Sequence, residues 1–221
     1  MKKYRVSELI FFVACVFSAA GIHCMVASEL GLSMIAAPAY IISQKISWLS
    51  QGNAEWMVQG LVFLVMCLMM RRFLINKIWC FAAAVVYGWI FDGVGLLMKW
   101  VQPVSYMARL GTFLMGCVLL SFGIALFFKS YLPCQVHEMF VKVLSESRGW
   151  KQGRVKLLYD IIFLFISVSV SFLMFHRLIG IREGTVICTL VNGPLIDLWL
   201  KLLSPLDIEP AFPRLKVFFD R

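Results

Sequence analysis

The sequence predicts an all-α, polytopic helical membrane protein with about six transmembrane helices. They are expected to form two repeated three-helix halves, and two short broken or interfacial helices are expected in addition. Three observations support this fold class. The 221 residues are 61% hydrophobic with a mean hydropathy of +0.85. Six apolar stretches approach or reach the length of a membrane span. Two segments in different parts of the chain match each other at key positions.

The low charge indicates that lipid is the main solvent of this chain. Charged residues make up 15% of the sequence, whereas a soluble domain carries about 25%. A hydrocarbon core of about 30 Å needs roughly 20 apolar residues per helix. The predicted spans are residues 7–28, 56–70, 78–98, 106–128, 157–175 and 185–203. The second is short and is expected to include residues upstream of Trp56. The first resembles a signal peptide but is expected to stay as an uncleaved helix.

Two further segments are predicted to be short helices rather than full spans. Residues 132–149 place apolar side chains at helical spacing on one face, which is typical of an interfacial or re-entrant helix. Residues 30–50 are more apolar and are broken by Pro38. If both segments crossed fully, the halves would have four spans each and would be parallel.

The repeat relates residues 71–92 to residues 176–197 at a constant spacing of 105, without a gap. The matched pairs are Arg72 with Arg177, Lys77 with Arg182, Gly88 with Gly193, and Asp92 with Asp197. Upstream, Gly21-Ile22 matches Gly123-Ile124 at a spacing of 102. We expect a single membrane domain over residues 1–221. Its first repeat would cover 1–100, its second 106–205, and a cytoplasmic tail 206–221.

The basic residues predict the orientation. With six spans and a cytoplasmic N-terminus, sixteen Lys and Arg residues lie on the inner side and five on the outer side. This is the bias expected of cytoplasmic loops, so both termini are predicted to be cytoplasmic. Three spans per half is an odd number, and the second half is therefore expected to be inverted relative to the first. Parallel halves would move the basic residues near Arg71 to the outside, against this rule.

Several stretches resemble the YczE/YitT-like family of bacterial integral membrane proteins. They are Gly21-Ile22, residues 30–33, residues 40–43, residues 71–73, residues 88–92, Glu138 to Val141, residues 180–187 and residues 193–196. The chain departs from that pattern at Met34, where a proline is expected and Pro38 lies nearby instead. The resemblance implies a multi-pass protein of the bacterial cytoplasmic membrane. The biochemical role of that family is not established, so the resemblance leaves the function open.

Polar residues at membrane depth are the candidate site residues, because burying a charge in lipid costs several kcal/mol. Asp92 and Asp197 are candidates for a pair of carboxylates lining an ion or proton pathway. The alternative is two helix-end carboxylates satisfied by lysines and water. Asn192 precedes Pro194, whose ring frees a backbone carbonyl in the sixth span. It is a candidate partner for that carbonyl or for a solute.

Glu29 and Glu138 stand near the starts of the two short segments. A carboxylate there can cap exposed backbone donors, or can gate the pathway or carry protons. His137 strengthens the second possibility, because imidazole titrates near neutral pH.

The sequence carries no signature of an enzyme, a metal site or a cofactor. No common catalytic motif is present, and the seven cysteines have neither CxxC nor Cys/His ligand spacing. The expected partner is the lipid bilayer, a second copy or another membrane protein is a candidate partner, and no nucleic acid is expected. The leading hypothesis is a small permease that moves a solute or ion between the two halves. The alternatives are a non-transporting accessory protein and the substrate-capture subunit of a larger importer.

Overall fold

The computed structural model describes residues 3–5, 7–71, 78–130, 132–133, 135–150, 152–205 and 207–209. Eight helices and two short strands form this described part of the chain. The helices are α1 (Ser7–Ser28), α2 (Ala37–Lys45), α3 (Gln51–Met69), α4 (Ile78–Leu97), α5 (Tyr106–Lys129), α6 (Val136–Arg148), α7 (Gln152–Phe175) and α8 (Glu183–Leu202). The strands are β1 (Lys3–Arg5) and β2 (Asp207–Glu209).

Six helices are long and apolar enough to span a membrane: α1, α3, α4, α5, α7 and α8. The predicted all-α, six-span fold is therefore confirmed, and the chain is a multi-pass membrane protein. The largest differences in helix bounds are at α3, which begins at Gln51 rather than at residue 56, and at α7, which begins at Gln152 rather than at residue 157. Ser50 caps α3 by accepting a hydrogen bond from the backbone N–H of Asn53 at 3.1 Å. The cap explains why the helix starts in a polar stretch.

The centre of the fold is the antiparallel pair α1 and α5. A Cβ atom on Gly21 would lie 2.6 Å from the backbone nitrogen of Leu120 and 2.8 Å from the carbonyl oxygen of Gly116. A Cβ atom on Gly123 would lie 2.7 Å from the backbone nitrogen of Ser18 and 2.9 Å from the carbonyl oxygen of Ala14. The glycines therefore let the two backbones touch, which is how small residues work in membrane helix packing.

These contacts between α1 and α5 are reciprocal. Gly116, Leu120 and Gly123 lie 102 positions after Ala14, Ser18 and Gly21, respectively. α1 and α5 thus pack on each other through three positions that share one spacing of 102 residues. In oligomers, such self-complementary contacts are the mark of a twofold interface.

The remaining long helices surround this pair. α4 packs against α1, and α8 packs against α5. α3 packs closely against α4 through Gly52 and Gly88, since a Cβ on Gly88 would lie 2.6 Å from the Gly52 carbonyl oxygen. The two short helices, α2 and α6, each contact both α3 and α7.

The short helices attach at opposite ends of the bundle, because α2 follows α1 and α6 follows α5, its antiparallel partner. Pro38 does not break the first segment. It lies in the first turn of α2, where a missing N–H costs no helical hydrogen bond. α6 keeps the predicted amphipathic character, with Val136 and His137 buried and Arg148 exposed. Gly149 ends it in the left-handed conformation, at φ 65°.

The strands bring the two ends of the described chain together. β1 pairs in parallel with β2, and Tyr4 is in register with Ile208. Residues 3–5 and 207–209 therefore lie at the same end of the bundle, as an even number of spans requires. We call this the terminal end. The rest of the predicted tail, and the repeat positions Arg72 and Lys77, lie outside the described residues.

Candidate functional site

A cavity of about 400 Å³ lies between the two halves. α1, α3, α4 and the segment before α2 line it from the first half, and α5, α6, α7, α8 and Gln135 line it from the second. Its polar and ionisable lining residues are Ser18, Ser33, Glu55, Tyr87, Gln135, Glu138, Lys156, Asn192 and Asp197. Apolar side chains such as Ile22, Leu120 and Phe127 complete the wall. A space of this volume and mixed lining is typical of a small-molecule site.

The first turns of both short helices border this cavity. Ser33 and Ala36 line it just before α2, and Gln135 and Glu138 line it at the start of α6. Because the two short helices attach at opposite ends of the bundle, they approach the cavity from opposite sides.

Gln59 of α3 holds the start of α6 in place. Its side-chain oxygen accepts a hydrogen bond from the Val136 N–H at 3.1 Å, and its amide nitrogen lies 3.3 Å from the Gln135 side-chain oxygen. The same nitrogen lies 3.5 Å from the Glu55 carboxylate. Gln59 is fully buried, so this network replaces the water that would otherwise satisfy these groups.

His137 lies beside this network and is neutral at physiological pH. Its Nδ1 shares a hydrogen bond with the Tyr159 hydroxyl, and its Nε2 lies 3.8 Å from the Glu55 carboxylate. Burial, together with a smaller effect of the positive charge of Lys156, lowers the pKa of His137 to about 3. The interpretation of His137 as a group that titrates near neutral pH is therefore wrong for this environment.

Glu138 is the carboxylate of α6 that faces the cavity. Burial raises its pKa above the ordinary value, and this effect is partly offset by the Lys156 charge and by its own backbone amide. Lys156 makes an ion pair with Asp160 at 2.9 Å, so its charge is already balanced. α6 has no side-chain cap hydrogen bond, and the Oε2 atom of Glu138 is without a hydrogen-bond partner among the described residues.

Three buried polar atoms belong to residues that line the cavity and lack a hydrogen-bond partner among the described residues. They are Ser18 Oγ on α1, Glu138 Oε2 on α6 and Asn192 Oδ1 on α8. Buried polar atoms in proteins are nearly always paired, and each exception needs a cause such as bound water or a ligand. The three atoms come from both halves. Asn192, a predicted candidate, belongs to this group.

Asp92 and Asp197 do not share the cavity. Asp197 lines it, whereas Asp92 binds the start of α3. One Asp92 oxygen accepts the Ser50 hydroxyl at 2.5 Å and the other accepts the Gly52 N–H at 2.8 Å. Asp92 binds there because α4 packs against the first turn of α3, where backbone N–H groups have no partner within the helix. Asp197 is exposed and makes no hydrogen bond or ion pair with any described residue.

Glu29 does not cap the first short helix. It follows α1 with φ 57° and makes an ion pair with Arg109 of α5 at 2.7 Å. Its backbone carbonyl accepts a hydrogen bond from Arg182 at 3.1 Å. The capping position of α2 is Ala36, which has no side chain able to cap. Glu29 thus ties the end of α1 to the second half, away from the cavity.

Glu55, Gln59 and Lys156 are important parts of the site that the sequence did not identify. Glu55 was placed outside the second span, because the polar run from Gln51 to Glu55 lowers the local hydropathy. The feature that could have revealed Glu55 was the short second span, because a full span had to include residues upstream of Trp56. Within the described ranges, no group of three or more His, Cys, Asp or Glu side chains has the geometry to hold a metal ion.

A family model described as a family of unknown function, DUF6198, matches residues 5–201. The chain belongs to the DUF6198 family. The matched region of this DUF6198 protein includes α1 to α7, all of α8 except Leu202, and every cavity residue named above. No curated protein and no solved structure gives a significant match. The resemblance to the YczE/YitT-like family stays a prediction.

Proposed function

We propose that this DUF6198 protein is a small permease of the bacterial cytoplasmic membrane, moving a small solute or ion through the cavity between its two halves. The observation that carries this proposal is the set of buried, unpartnered oxygens on Ser18, Glu138 and Asn192, three residues that line one cavity from three helices. Burying such atoms without partners costs free energy. A ligand that enters and leaves the cavity would satisfy these atoms while it is bound. This role accounts for their cost better than a permanent packing role does.

The two halves are proposed to be inverted repeats, which is the architecture of many secondary transporters. The reciprocal packing of Gly21 and Gly123 supports this relationship. The antiparallel course of α1 and α5 supports the inversion. In such proteins the solute site lies at the interface of the repeats, as the cavity does here.

The terminal end of the bundle is proposed to face the cytoplasm. This orientation places sixteen of the 21 Lys and Arg residues on the inner side, in accordance with the charge bias of cytoplasmic loops. The cavity residues Lys156 and Asp197 lie near the start of α7 and the end of α8. The exposed side of the cavity would then face the cytoplasm.

Uptake from a metabolite mixture into proteoliposomes tests the proposal. Vesicles with the wild-type protein should accumulate at least one solute above the level in protein-free vesicles, and Asn192→Ala should reduce that uptake. Gly111→Ala is a suitable control, because a Cβ there meets no atom within 4 Å. If folded wild-type protein moves no solute from several chemically different mixtures, the permease proposal fails and the accessory role is favoured.

A further inference from the structure

The polar wall of the cavity defines the chemistry of its ligand, and this inference rests on the proposed function. The unpartnered atoms on Ser18, Glu138 and Asn192 are oxygens. A carboxylate accepts hydrogen bonds and donates none, and a hydroxyl can also accept. Ser18 lines the cavity but is only 2% exposed, and its oxygen lies against Gly123 of α5. A ligand that satisfies this set must supply N–H or O–H donors.

The charge of the wall favours a cationic donor. Glu55, Glu138 and Asp197 line the cavity, and Lys156 is the one Lys or Arg side chain among the described lining residues. The Lys156 charge is compensated by Asp160 at 2.9 Å. A positively charged ligand would therefore meet excess negative charge, and its hydrogen bonds to ionised carboxylates would be the stronger kind.

The helix starts at the cavity do not provide an anion site. In α2, the N–H groups of Ala36 and Ala37 are bonded to Ser33, and Pro38 has no N–H. In α6, the Val136 N–H is bonded to Gln59, and Glu138 places its own carboxylate at the first turn. The donors that would attract an anion at a helix start are largely occupied.

We infer that the cavity binds a small organic amine in its ammonium form. The nitrogen would lie among Glu138, Asn192 and Ser18, and the carbon skeleton would lie against Ile22, Leu120 and Phe127. The cavity of about 400 Å³ is large enough for an amine with an aliphatic or aromatic group, within the usual range of small-molecule sites.

Binding to the purified protein in detergent tests this inference without any transport step. The probes are amines from ethylammonium to phenethylammonium, with phenylpropionate and phenethyl alcohol as an anion and a neutral compound of similar shape. Calorimetry should detect at least one amine with at least tenfold higher affinity than either matched compound. Glu138→Gln should weaken its binding at least tenfold, whereas Glu146→Gln, at an exposed position of the same helix, should not.

Several outcomes would overturn the assignment: no binding by any amine, equal binding of all three classes, or tighter binding of phenylpropionate. If Glu138→Gln does not fold, Asn192→Ala and Ser18→Ala replace it. Binding of an amine without uptake into proteoliposomes would keep the ligand assignment and reject the permease. Uptake of anionic or neutral solutes alone would keep the permease and reject the ligand assignment.

A different observation carries a second inference, which also rests on the proposed inverted repeat. The matching positions of α4 and α8 make different contacts. Gly88 packs on Gly52 of α3, whereas a Cβ on Gly193 would meet no atom within 4 Å. Asp92 is bonded to the start of α3, whereas Asp197 is exposed at the cavity. The bundle is thus sealed between α3 and α4 and open between α7 and α8.

The sequence offers α8 the same docking partner that α4 uses. α3 begins with Gln51-Gly52 and α7 begins with Gln152-Gly153. We propose that Asp92 and Asp197 are alternating latches. In the opposite state, α8 closes on α7, Asp197 binds the start of α7, and Asp92 releases the start of α3. The cavity would then open at the end away from the termini.

Distances between spin labels on unnatural amino acids test the latches. One pair, Arg154 with Lys201, reports the terminal end, and another, Trp48 with Leu96, reports the opposite end. All four positions are exposed. Asp92→Ala should shorten the first distance and lengthen the second, and Asp197→Ala should leave both as in the wild type. Unchanged distances in Asp92→Ala, or equal changes in both variants, would overturn the proposal.

Discussion

Asp92 and Asp197 lie 105 residues apart at matching positions of α4 and α8, yet Asp92 is bonded to the start of a neighbouring helix and Asp197 is not. This difference separates two roles that the sequence alone could not distinguish. Asp92 is a structural cap in the observed state. Asp197 is a polar group at the wall of a cavity. The same two residues therefore provide a matched pair of variants.

Asp92→Ala should lower the stability of the protein, and Asp197→Ala should not. Asp92 accepts hydrogen bonds from Ser50 and Gly52 at the start of α3, and loss of such a cap costs about 0.5–2 kcal/mol. Thermal unfolding in detergent, followed by intrinsic fluorescence, measures the difference. Equal melting temperatures for the two variants would show that the Asp92 contacts contribute little.

The sequence predicted the six spans and the two short helices because hydropathy depends on local composition. The start of α3 was misplaced, since the stretch from Gln51 to Glu55 has low hydropathy and its first turn is held by Gly88 and Asp92 of α4. The sequence also grouped Asp92 with Asp197, because a repeat shows which positions are equivalent. It does not show that the two halves adopt different local packing, which depends on contacts between helices distant in the chain.

Gly21→Ala should destabilise the protein strongly, because the added Cβ would meet the α5 backbone at 2.6 Å. Overpacking of this kind costs about 1–3 kcal/mol and occasionally more, and a backbone neighbour cannot move aside alone. The control is Gly111→Ala, at an open position of α5. The yield of monodisperse protein and its melting temperature measure the effect. A Gly21→Ala protein as stable as Gly111→Ala would contradict the close contact of α1 and α5.

Gln59→Leu should loosen the start of α6. The substitution leaves the Val136 N–H and the Gln135 side chain without their partner, and an unsatisfied buried group costs about 1–3 kcal/mol. Hydrogen exchange should become faster in the first turn of α6 and remain unchanged in α8. Gln102→Leu, at an exposed position, serves as the control. Unchanged exchange at residues 136–139 would refute the role of Gln59.

His137 should make the protein less stable in acid. Its pKa is lowered from 6.5 to about 3 in the folded protein, so the unfolded chain binds the proton more readily between these values. The free energy of unfolding should therefore fall as the pH drops from 6.5 toward 3, by up to about 1.4 kcal/mol per pH unit. Above pH 6.5 the effect should vanish.

The groups that face His137 are Glu55 of α3 and Tyr159 of α7, with Lys156 nearby. Glu138 on α6 acts in the opposite direction, since its raised pKa favours folding as the pH falls toward 4.5. Replacing one residue isolates the histidine contribution. The melting temperature of His137→Gln should depend less on pH between 5 and 7 than that of the wild type. His176→Gln, at an exposed position, should behave like the wild type, and an identical pH dependence in all three proteins would contradict the assignment.

The most direct measurement of the central claim is solute uptake by proteoliposomes that contain Glu138→Gln or Glu146→Gln at matched density. Both residues belong to α6, but Glu138 lines the cavity and Glu146 is exposed. If the solute passes through the cavity, Glu138→Gln should reduce uptake at least tenfold, and Glu146→Gln should retain the wild-type rate. Equal uptake by the two variants would contradict a pathway through this cavity.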